Sequence, residues 1–279
     1  MSAKTLKDKV IIVTGGSGGI GSSIVEKLAC YDASIVSVYH NNFPGDQYLE
    51  NVNLFKADLT KPEDWDELFL FTKEMFGKFD AIINCAAQLE PGYFLSLTEF
   101  QIERMIKTNF VSAITGTHKA LKIMTNQGFG HIINIGSIGG IVPMPYSAVY
   151  SATKFGLRGF TFSLAEELKG TEVRISLIAP GPVTTKMLDN EASKKETAIA
   201  FISKPIIPTL VANAVIKILY KPKVELIIPG QLSSLSKLLS FSPSVFSGLY
   251  KFLHKTGIKR KRDYFEHYCN SKLTKGEAR

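Results

Sequence analysis

The 279-residue chain contains only three cysteines, and it has no long uninterrupted apolar stretch. Cys30, Cys85 and Cys269 are too few and too widely spaced for a disulfide framework or a zinc motif, so we expect no metal site. No window of about 18 uncharged apolar residues occurs, which argues against a membrane-spanning helix. Residues 1–9 are polar and lack the apolar centre of a secretion signal. These absences predict a protein of the reducing cytoplasm.

An excess of positive charge is missing from most of the chain, although the formal net charge is +8. Residues 251–279 carry nine Lys and Arg against three Asp and Glu, which leaves 24 basic and 22 acidic residues in the other 250. The basicity belongs to the C-terminal segment, so we expect no nucleic-acid-binding core. Apolar residues make up 45% of the composition, which is enough for a large core and excludes a disordered chain.

Short apolar runs alternate with longer helical patterns up to about residue 230, which is typical of βαβ units and a parallel sheet. The runs predict strands at residues 10–14, 34–39, 53–56, 80–84, 131–135, 174–179 and 225–228. The helical patterns cover residues 20–30, 62–76, 99–124, 147–168 and 208–220, and Thr60 is a candidate cap for the second of them. We predict a single doubly wound α/β domain over residues 1–230, with about seven parallel strands, and a C-terminal extension over residues 231–279.

A glycine-rich turn joins the first predicted strand to the first predicted helix, reading Thr14-Gly15-Gly16-Ser17-Gly18-Gly19-Ile20-Gly21. Such a turn leaves backbone N–H groups and the positive end of the helix dipole open, and glycines let a pyrophosphate approach closely. The same stretch also matches the Gly-x-Ser-x-Gly elbow of α/β-hydrolases. A hydrolase needs an acid and then a histidine later in the chain, and the histidines after Ser17 have no obvious acidic partner at a strand end. The sequence therefore favours a nucleotide site over a hydrolase.

Two further signals concern proton transfer. Tyr150 and Lys154 are four residues apart in a helical pattern, so the phenol and the ammonium share one helix face. A nearby cation favours the phenolate and lowers the pKa of a tyrosine from its ordinary value of about 10. Ser137 directly follows a buried-type strand, where open α/β sheets place their ligands and where a hydroxyl can stabilise a substrate oxygen.

The order and spacing of these signals resemble the short-chain dehydrogenase/reductase family over roughly residues 7–230. Four further segments are similar to family motifs: Asp58 after the third strand, Asn84-Cys85-Ala86-Ala87 in place of Asn-Asn-Ala-Gly, Asn109 in the long helix, and Pro180-Gly181-Pro182-Val183-Thr184-Thr185. The resemblance implies a Rossmann-type fold and an NAD(P)-dependent oxidoreductase that moves hydride between nicotinamide and an alcohol/carbonyl substrate.

The resemblance also assigns roles to residues. It implies that Tyr150 exchanges a proton with the carbonyl oxygen, that Ser137 polarises this oxygen, and that Asn109 holds a water relay through a helix distortion. Lys154 would bind the nicotinamide ribose and lower the Tyr150 pKa. The residues that it implies for cofactor binding are Gly15, Ser17, Gly19, Ile20, Gly21, Tyr39, His40, Asp58, Leu59, Asn84, Ala86, Tyr150, Lys154, Pro180, Gly181, Val183 and Thr185.

The residues at the end of the second strand bear on the cofactor preference. NAD enzymes usually place an acid there for the ribose 2′-OH, and this sequence has Tyr39, His40 and Asn41 instead. Without a repelling carboxylate, and with donors from His40 and Asn41, NADP(H) is slightly favoured over NAD(H). No Arg or Lys is present there to pair with a 2′-phosphate, so NAD(H) remains open.

The walls of the substrate pocket are predicted from residues 88–95, 139–146 and 187–204. The first two segments include Leu89, Tyr93, Phe94, Ile141, Val142 and Met144, which favour a lipophilic carbonyl compound. Family members commonly form dimers or tetramers through two long helices, here 99–124 and 147–168, so a homodimer or homotetramer is expected. The alternative function is a catalytically weak dinucleotide-binding protein or a membrane-surface adaptor.

The C-terminal extension has two candidate amphipathic helices within residues 231–253, followed by the basic run Lys259-Arg260-Lys261-Arg262. One interpretation is that they close over the substrate site or pack on a sister subunit. The other is peripheral contact with an anionic membrane surface.

Overall fold

The computed structural model describes residues 5–45, 50–194, 196–233, 236 and 243–266. Cys269 and the basic residues after position 266 lie outside the described residues, as does much of the first candidate amphipathic helix. None of the helices in the described part is both long and apolar enough to cross a bilayer.

Parallel strands form one sheet in the order β3-β2-β1-β4-β5-β6-β7. They are β1 Val10–Thr14, β2 Ser34–Tyr39, β3 Val52–Lys56, β4 Ala81–Asn84, β5 Gly130–Ile135, β6 Val173–Pro180 and β7 Glu225–Ile228. The order reverses between β1 and β4, which creates a crevice at the carboxyl ends of these strands. The predicted doubly wound α/β fold is confirmed, and each strand lies within one residue of its predicted bounds.

Helices cover both faces of the sheet because the strands are apolar on both faces. The helices are α1 Gly19–Ala29, α2 Pro62–Phe76, α3 Glu99–Ile106, α4 Ser112–Gln127, α5 Ala148–Glu167, α6 Lys186–Ser193, α7 Pro208–Tyr220 and α8 Pro243–Tyr264. Successive β1 side chains alternate between the two layers: Ile11 and Val13 pack with α1 and α7, whereas Val10 and Ile12 pack with α2 and α4. With helices on both faces of the sheet, every β1 side chain is buried.

Two local predictions were wrong. The single helix expected over residues 99–124 is interrupted by a π-helical segment, Lys107–Val111, between α3 and α4. Thr60 does not cap α2, whose N-cap is Lys61 without a side-chain bond. Thr60 instead donates from its backbone N–H and its hydroxyl to Asp58 Oδ1, at 3.1 and 2.7 Å.

The described part of the C-terminal extension contains α8, which packs against a short 3₁₀ turn, Thr197–Phe201. Leu253 of α8 joins the cluster that contains Ile199 of this turn. α8 therefore lies against the segment after β6. Closure of the extension over the substrate site, its packing on a sister subunit and its contact with a membrane all stay predictions. The division of the chain at residue 230 stays a prediction.

Candidate active site

The glycine-rich turn is shaped by close backbone approaches. Gly15 has a φ of +65°, and Gly18 caps α1 without any side-chain hydrogen bond. A Cβ at Gly21 would lie 2.0 Å from the Gly15 carbonyl oxygen, and one at Gly19 would lie 2.7 Å from the side chain of Thr185. The first turn of α1 also carries no acidic residue. Its N–H groups therefore stay available to an anion, which the positive end of the helix favours.

A cleft of about 1330 Å³ runs from this turn across the carboxyl ends of the strands. It brings together most of the residues that the sequence predicted for cofactor binding and catalysis. Those that line it are Gly15, Ser17, Gly19, Ile20, Gly21, Tyr39, His40, Asp58, Leu59, Ala86, Ser137, Tyr150, Lys154, Pro180, Gly181, Val183 and Thr185. A single continuous space thus joins the anion-binding turn to the Tyr–Lys pair.

Asn84 is an exception among the predicted cofactor-binding residues. Its side chain is buried at the end of β4 and donates to Asn134 Oδ1 at 2.9 Å and to Thr117 Oγ1 at 3.2 Å. It is not among the residues that line the cleft, whereas Ala86 is. The Asn84 amide instead ties two strands to α4 beneath the cleft, and cofactor binding by Asn84 stays a prediction.

Asn109 lies at the centre of the π-helical segment and is almost fully buried. Its amide oxygen accepts from the Gln88 N–H, and its amide nitrogen donates to the Gln88 carbonyl, both at 2.8 Å. The nitrogen also lies 3.4 Å from Thr153 Oγ1. The expected helix distortion is present, and the asparagine fixes the loop after β4 against α5. Such π-bulges occur frequently at functional sites.

Ser137, Tyr150 and Lys154 meet at the carboxyl end of β5. The Ser137 side chain is hydrogen-bonded to Tyr150, and Ser137 Oγ also accepts from the Gly139 N–H at 3.0 Å. Lys154 is buried, with its Nζ 5.7 Å from the Tyr150 ring centroid and 2.9 Å from the Ile135 carbonyl oxygen. The phenol, the hydroxyl and the ammonium that the sequence predicted therefore lie in one place.

The electrostatics of Tyr150 differ from the prediction. Burial raises the pKa of Tyr150 to about 12, with smaller contributions from the charges of Glu191 and Cys85, and the Ser137 hydrogen bond only partly opposes this rise. Burial lowers the pKa of Lys154 to about 8. The expectation that Lys154 lowers the Tyr150 pKa is therefore not met in this structure, because loss of hydration outweighs the opposing Ser137 hydrogen bond.

Tyr39, His40 and Asp58 form the rim of the cleft at the ends of β2 and β3. His40 Nε2 lies 3.9 Å from Asp58 Oδ2. Burial acts to raise the pKa of Asp58, but the two Thr60 hydrogen bonds and the charge of His40 outweigh it, so the pKa is lowered. The rim consequently combines an imidazole with an ionised carboxylate, and the strand end itself carries no acid.

The substrate end of the cleft, beyond Tyr150, is lined by only some of the apolar residues predicted for it. Leu89 and Met144 line it, whereas Ile141 and Val142 are buried in the core behind it. Residues 93 and 94 are mostly exposed at its margin. The cleft wall gains Leu188 and Ala200 from the segment after β6.

Glu191 is a functional candidate that sequence reasoning missed. It lines the cleft from α6 and is only 9% exposed. Ser147 Oγ donates to its Oε1 at 3.2 Å. Burial raises the pKa of Glu191 to about 7, against the opposing effects of Ser147 and Lys261. No sequence signal distinguished this carboxylate from an exposed one, because only the fold turns α6 inward. Within the described residues, His, Cys, Asp and Glu side chains form no cluster that could hold a metal ion.

The sequence is similar to a known family and to curated relatives. The profile of the family described as short chain dehydrogenase matches residues 9–196. An uncharacterized oxidoreductase from Staphylococcus epidermidis is 34% identical over 191 residues, which cover 66% of this chain and 82% of the relative. An uncharacterized oxidoreductase from Staphylococcus aureus is 33% identical over 226 residues, which cover 78% of this chain and 94% of the relative.

Solved structures show the same fold. A short-chain dehydrogenase/reductase from Burkholderia phymatum, solved in complex with NAD, superposes with a TM-score of 0.76 and 21% identity, covering 84% of this chain and 93% of that one. A short-chain dehydrogenase from Streptomyces avermitilis superposes with a TM-score of 0.74 and 22% identity, covering 88% and 96%. With the family profile spanning most of the sheet and a glycine turn, a serine and a Tyr–Lys pair in one cleft, the chain belongs to the short-chain dehydrogenase family of NAD(P)-dependent oxidoreductases.

Proposed function

We propose that the protein interconverts a lipophilic carbonyl compound and its alcohol, with NADP(H) slightly preferred over NAD(H). The observation that carries the proposal is the meeting of Ser137, Tyr150 and Lys154 in the cleft that begins at the glycine-rich turn. A dinucleotide suits this cleft because its pyrophosphate needs open N–H groups at a helix N-terminus, and α1 begins there with no acidic residue in its first turn. The glycines hold this turn in shape, since a Cβ at Gly19 or Gly21 would meet Thr185 or the Gly15 carbonyl oxygen. When bound, the nicotinamide would supply or accept the hydride.

The residues of the chain then handle the proton and the position of the substrate. In the reductive direction Tyr150 gives its phenolic proton to the carbonyl oxygen, and Ser137 donates a hydrogen bond to the same oxygen as negative charge develops on it. Lys154 would hold the nicotinamide ribose. Asn109 keeps the loop after β4 in place through its two bonds to Gln88. The intact set argues against a dinucleotide-binding protein without catalysis.

The proposed preference for NADP(H) rests on the residues at the rim of the cleft. Tyr39 ends β2, and no carboxylate lies at the strand end to repel a 2′-phosphate. His40 offers a donor there, although Asp58 lies close to it. A large preference for NADH in steady-state rates would contradict this part of the proposal.

Two accompanying proposals concern assembly and compartment. Val111 and Phe155, at the start of α4 and on α5, are 45% and 40% exposed. We propose that these helices join subunits of a homodimer or homotetramer, which would cover both side chains. The free thiols of Cys30 and Cys85 fit the reducing cytoplasm.

The function is tested with a panel of lipophilic ketones, aldehydes and alcohols and both cofactors, followed by nicotinamide absorbance. We expect turnover with at least one carbonyl compound, and a much lower rate from the Tyr150→Phe variant with the same compound. Rates that match the Tyr150→Phe background for every compound would contradict the proposal.

A further inference from the structure

The inner face of α8 is fastened to the margin of the cleft. Tyr264 donates to Asp189 Oδ1 of α6 at 2.7 Å, and its ring centroid lies 5.5 Å from that of Phe201. A Cβ at Gly257 would lie 2.0 Å from the Ala198 carbonyl oxygen, so the helix backbone itself touches the turn. The orientation of α8 is therefore set, with one face against the body of the protein and the other directed outward.

One cation of α8 takes part in this fastening. Lys261 is 7% exposed, and its Nζ donates to the Lys194 carbonyl at the end of α6 and to Thr197 Oγ1 at 3.3 Å. A cation at a helix C-terminus is stabilised by the helix dipole. Lys261 is thus buried, whereas the other Lys and Arg side chains of α8 are exposed.

The outer face of α8 is basic and also apolar. Phe252 is 68% exposed, Ile258 50% and Leu249 41%. The exposed cations of the helix are Lys251, Lys255, Lys259, Arg260 and Arg262. The outer face of an ordinary surface helix is polar, whereas large apolar side chains among cations are typical of helices that lie in a membrane interface.

The charge of the C-terminal segment indicates the kind of partner that it would bind. The segment 251–279 holds nine basic and three acidic residues, whereas the other 250 residues are nearly balanced. A strongly basic segment is attracted to the negative surface of an anionic bilayer. Nucleic acid would also attract the cations, but its phosphate backbone offers nothing to Phe252 and its apolar neighbours.

A second exposed apolar element borders the same cleft margin. Leu95 is 97% exposed and Phe94 57%. The loop is held to residue 146, because the Gly92 N–H donates to the Tyr146 carbonyl at 2.8 Å. Nearby Met144 packs against the cluster that contains Tyr264 of α8. The loop and α8 therefore both lie near residues 144–146.

We propose that the outer face of α8, together with the loop at residues 94–95, docks on an anionic phospholipid membrane surface. The cations meet the lipid phosphates and carboxylates, while Phe252 and Leu95 enter the acyl boundary. If the proposed function also holds, this contact places the substrate end of the cleft at the interface where lipophilic carbonyl compounds accumulate. The docking itself does not depend on catalysis.

The test is co-sedimentation of the full chain with vesicles of phosphatidylcholine alone or mixed with phosphatidylserine, at low and high salt. We expect binding to the mixed vesicles at low salt, with affinity at least about tenfold weaker for pure phosphatidylcholine. The double variant Lys255→Glu/Lys259→Glu and the single variant Phe252→Ser should each lose most of this binding. The matched control is Lys73→Glu/Lys223→Glu, which makes the same charge change at exposed sites elsewhere. This control variant should keep most of the vesicle binding.

Each alternative outcome overturns part or all of the proposal. If the protein does not bind at low salt, or if the control variant loses as much binding as the α8 variants, the protein does not dock on a membrane through this surface. Binding that survives Phe252→Ser, or that duplex DNA competes away completely, would indicate attraction to any polyanion. Unchanged binding of Leu95→Ser would remove the loop from the surface. Melting curves of each variant show whether it is folded, and Tyr150→Phe should bind vesicles as the unmodified protein does, whatever the outcome of the activity panel.

Discussion

The ammonium of Lys154 lies 2.9 Å from the backbone carbonyl oxygen of Ile135, the last residue of β5. This bond fixes a buried cation at the carboxyl end of the sheet, one helical turn from Tyr150. Burial raises the pKa of Tyr150 to about 12, so the phenol is protonated at neutral pH, and it lowers the pKa of Lys154 to about 8, which is still high enough to leave most of the amine charged. Without ligand the phenol therefore carries the proton that the reductive direction would use.

Replacing Tyr150 by phenylalanine removes the phenolic oxygen and keeps the ring. We expect turnover to fall by at least about 100-fold, since a positioned acid contributes 10²–10⁴-fold. Cofactor affinity, measured by fluorescence titration, should change little by comparison. Tyr31→Phe deletes a phenol away from the cleft and serves as the control. Near-normal turnover in Tyr150→Phe would exclude the residue from proton transfer.

Gly21→Ala tests the glycine-rich turn. The new Cβ would lie 2.0 Å from the Gly15 carbonyl oxygen, so the turn must shift and its N–H groups lose their alignment. We expect dinucleotide affinity to weaken by about tenfold or more, together with a lower melting temperature. Gly248→Ala, where nothing lies within 4 Å of the added Cβ, is the matched control. Unaltered binding in Gly21→Ala would place the pyrophosphate elsewhere.

Glu191 gives the stability of the protein a pH dependence. Its folded pKa is raised from 4.5 to about 7, so the native state binds more protons than the unfolded state between these values. The contribution of Glu191 to stability therefore falls as the pH rises from 4.5 to about 7, and it stays unfavourable above that. The melting temperature of Glu191→Gln, relative to that of the unmodified protein, should increase as the pH rises through this range. Above about pH 7 the difference should stay constant. Glu166→Gln, at an exposed site, should show no such trend, and a pH-independent difference for Glu191→Gln would contradict the buried carboxylate.

The proposed oligomer predicts that a charge on its interface separates the subunits. Val111→Glu and Phe155→Glu should each shift the mass in light scattering toward the monomer, because the interface would bury an unpaired carboxylate. Leu70→Glu changes a comparably exposed apolar side chain on α2 and should leave the mass as it was. If the unmodified protein is monomeric at all concentrations, the two helices do not join subunits.

Local patterns determined most of the fold. Strands such as β1 and β2 were predicted to the residue because runs of Val, Ile and Leu can be buried on both faces only within a covered parallel sheet. The helical pattern at 99–124 showed no break by itself, and the distortion at Asn109 was expected only from the family resemblance. Its cause, the bonding of the Asn109 amide to Gln88 in another element, is seen only in the structure. The same limit applies to Asn84, whose partners on α4 and β5 are distant along the chain.

The sequence by itself determined the α/β architecture, the glycine-rich turn and the types and order of the reactive residues, because those follow from neighbours within one or two turns of chain. Only the tertiary structure decided the electrostatics and the walls of the site. Burial set the pKa of Tyr150 against the expected effect of Lys154, and it turned Glu191 from a surface carboxylate into a cleft residue. Desolvation depends on what surrounds a group from every side, and that is fixed only when distant segments pack together.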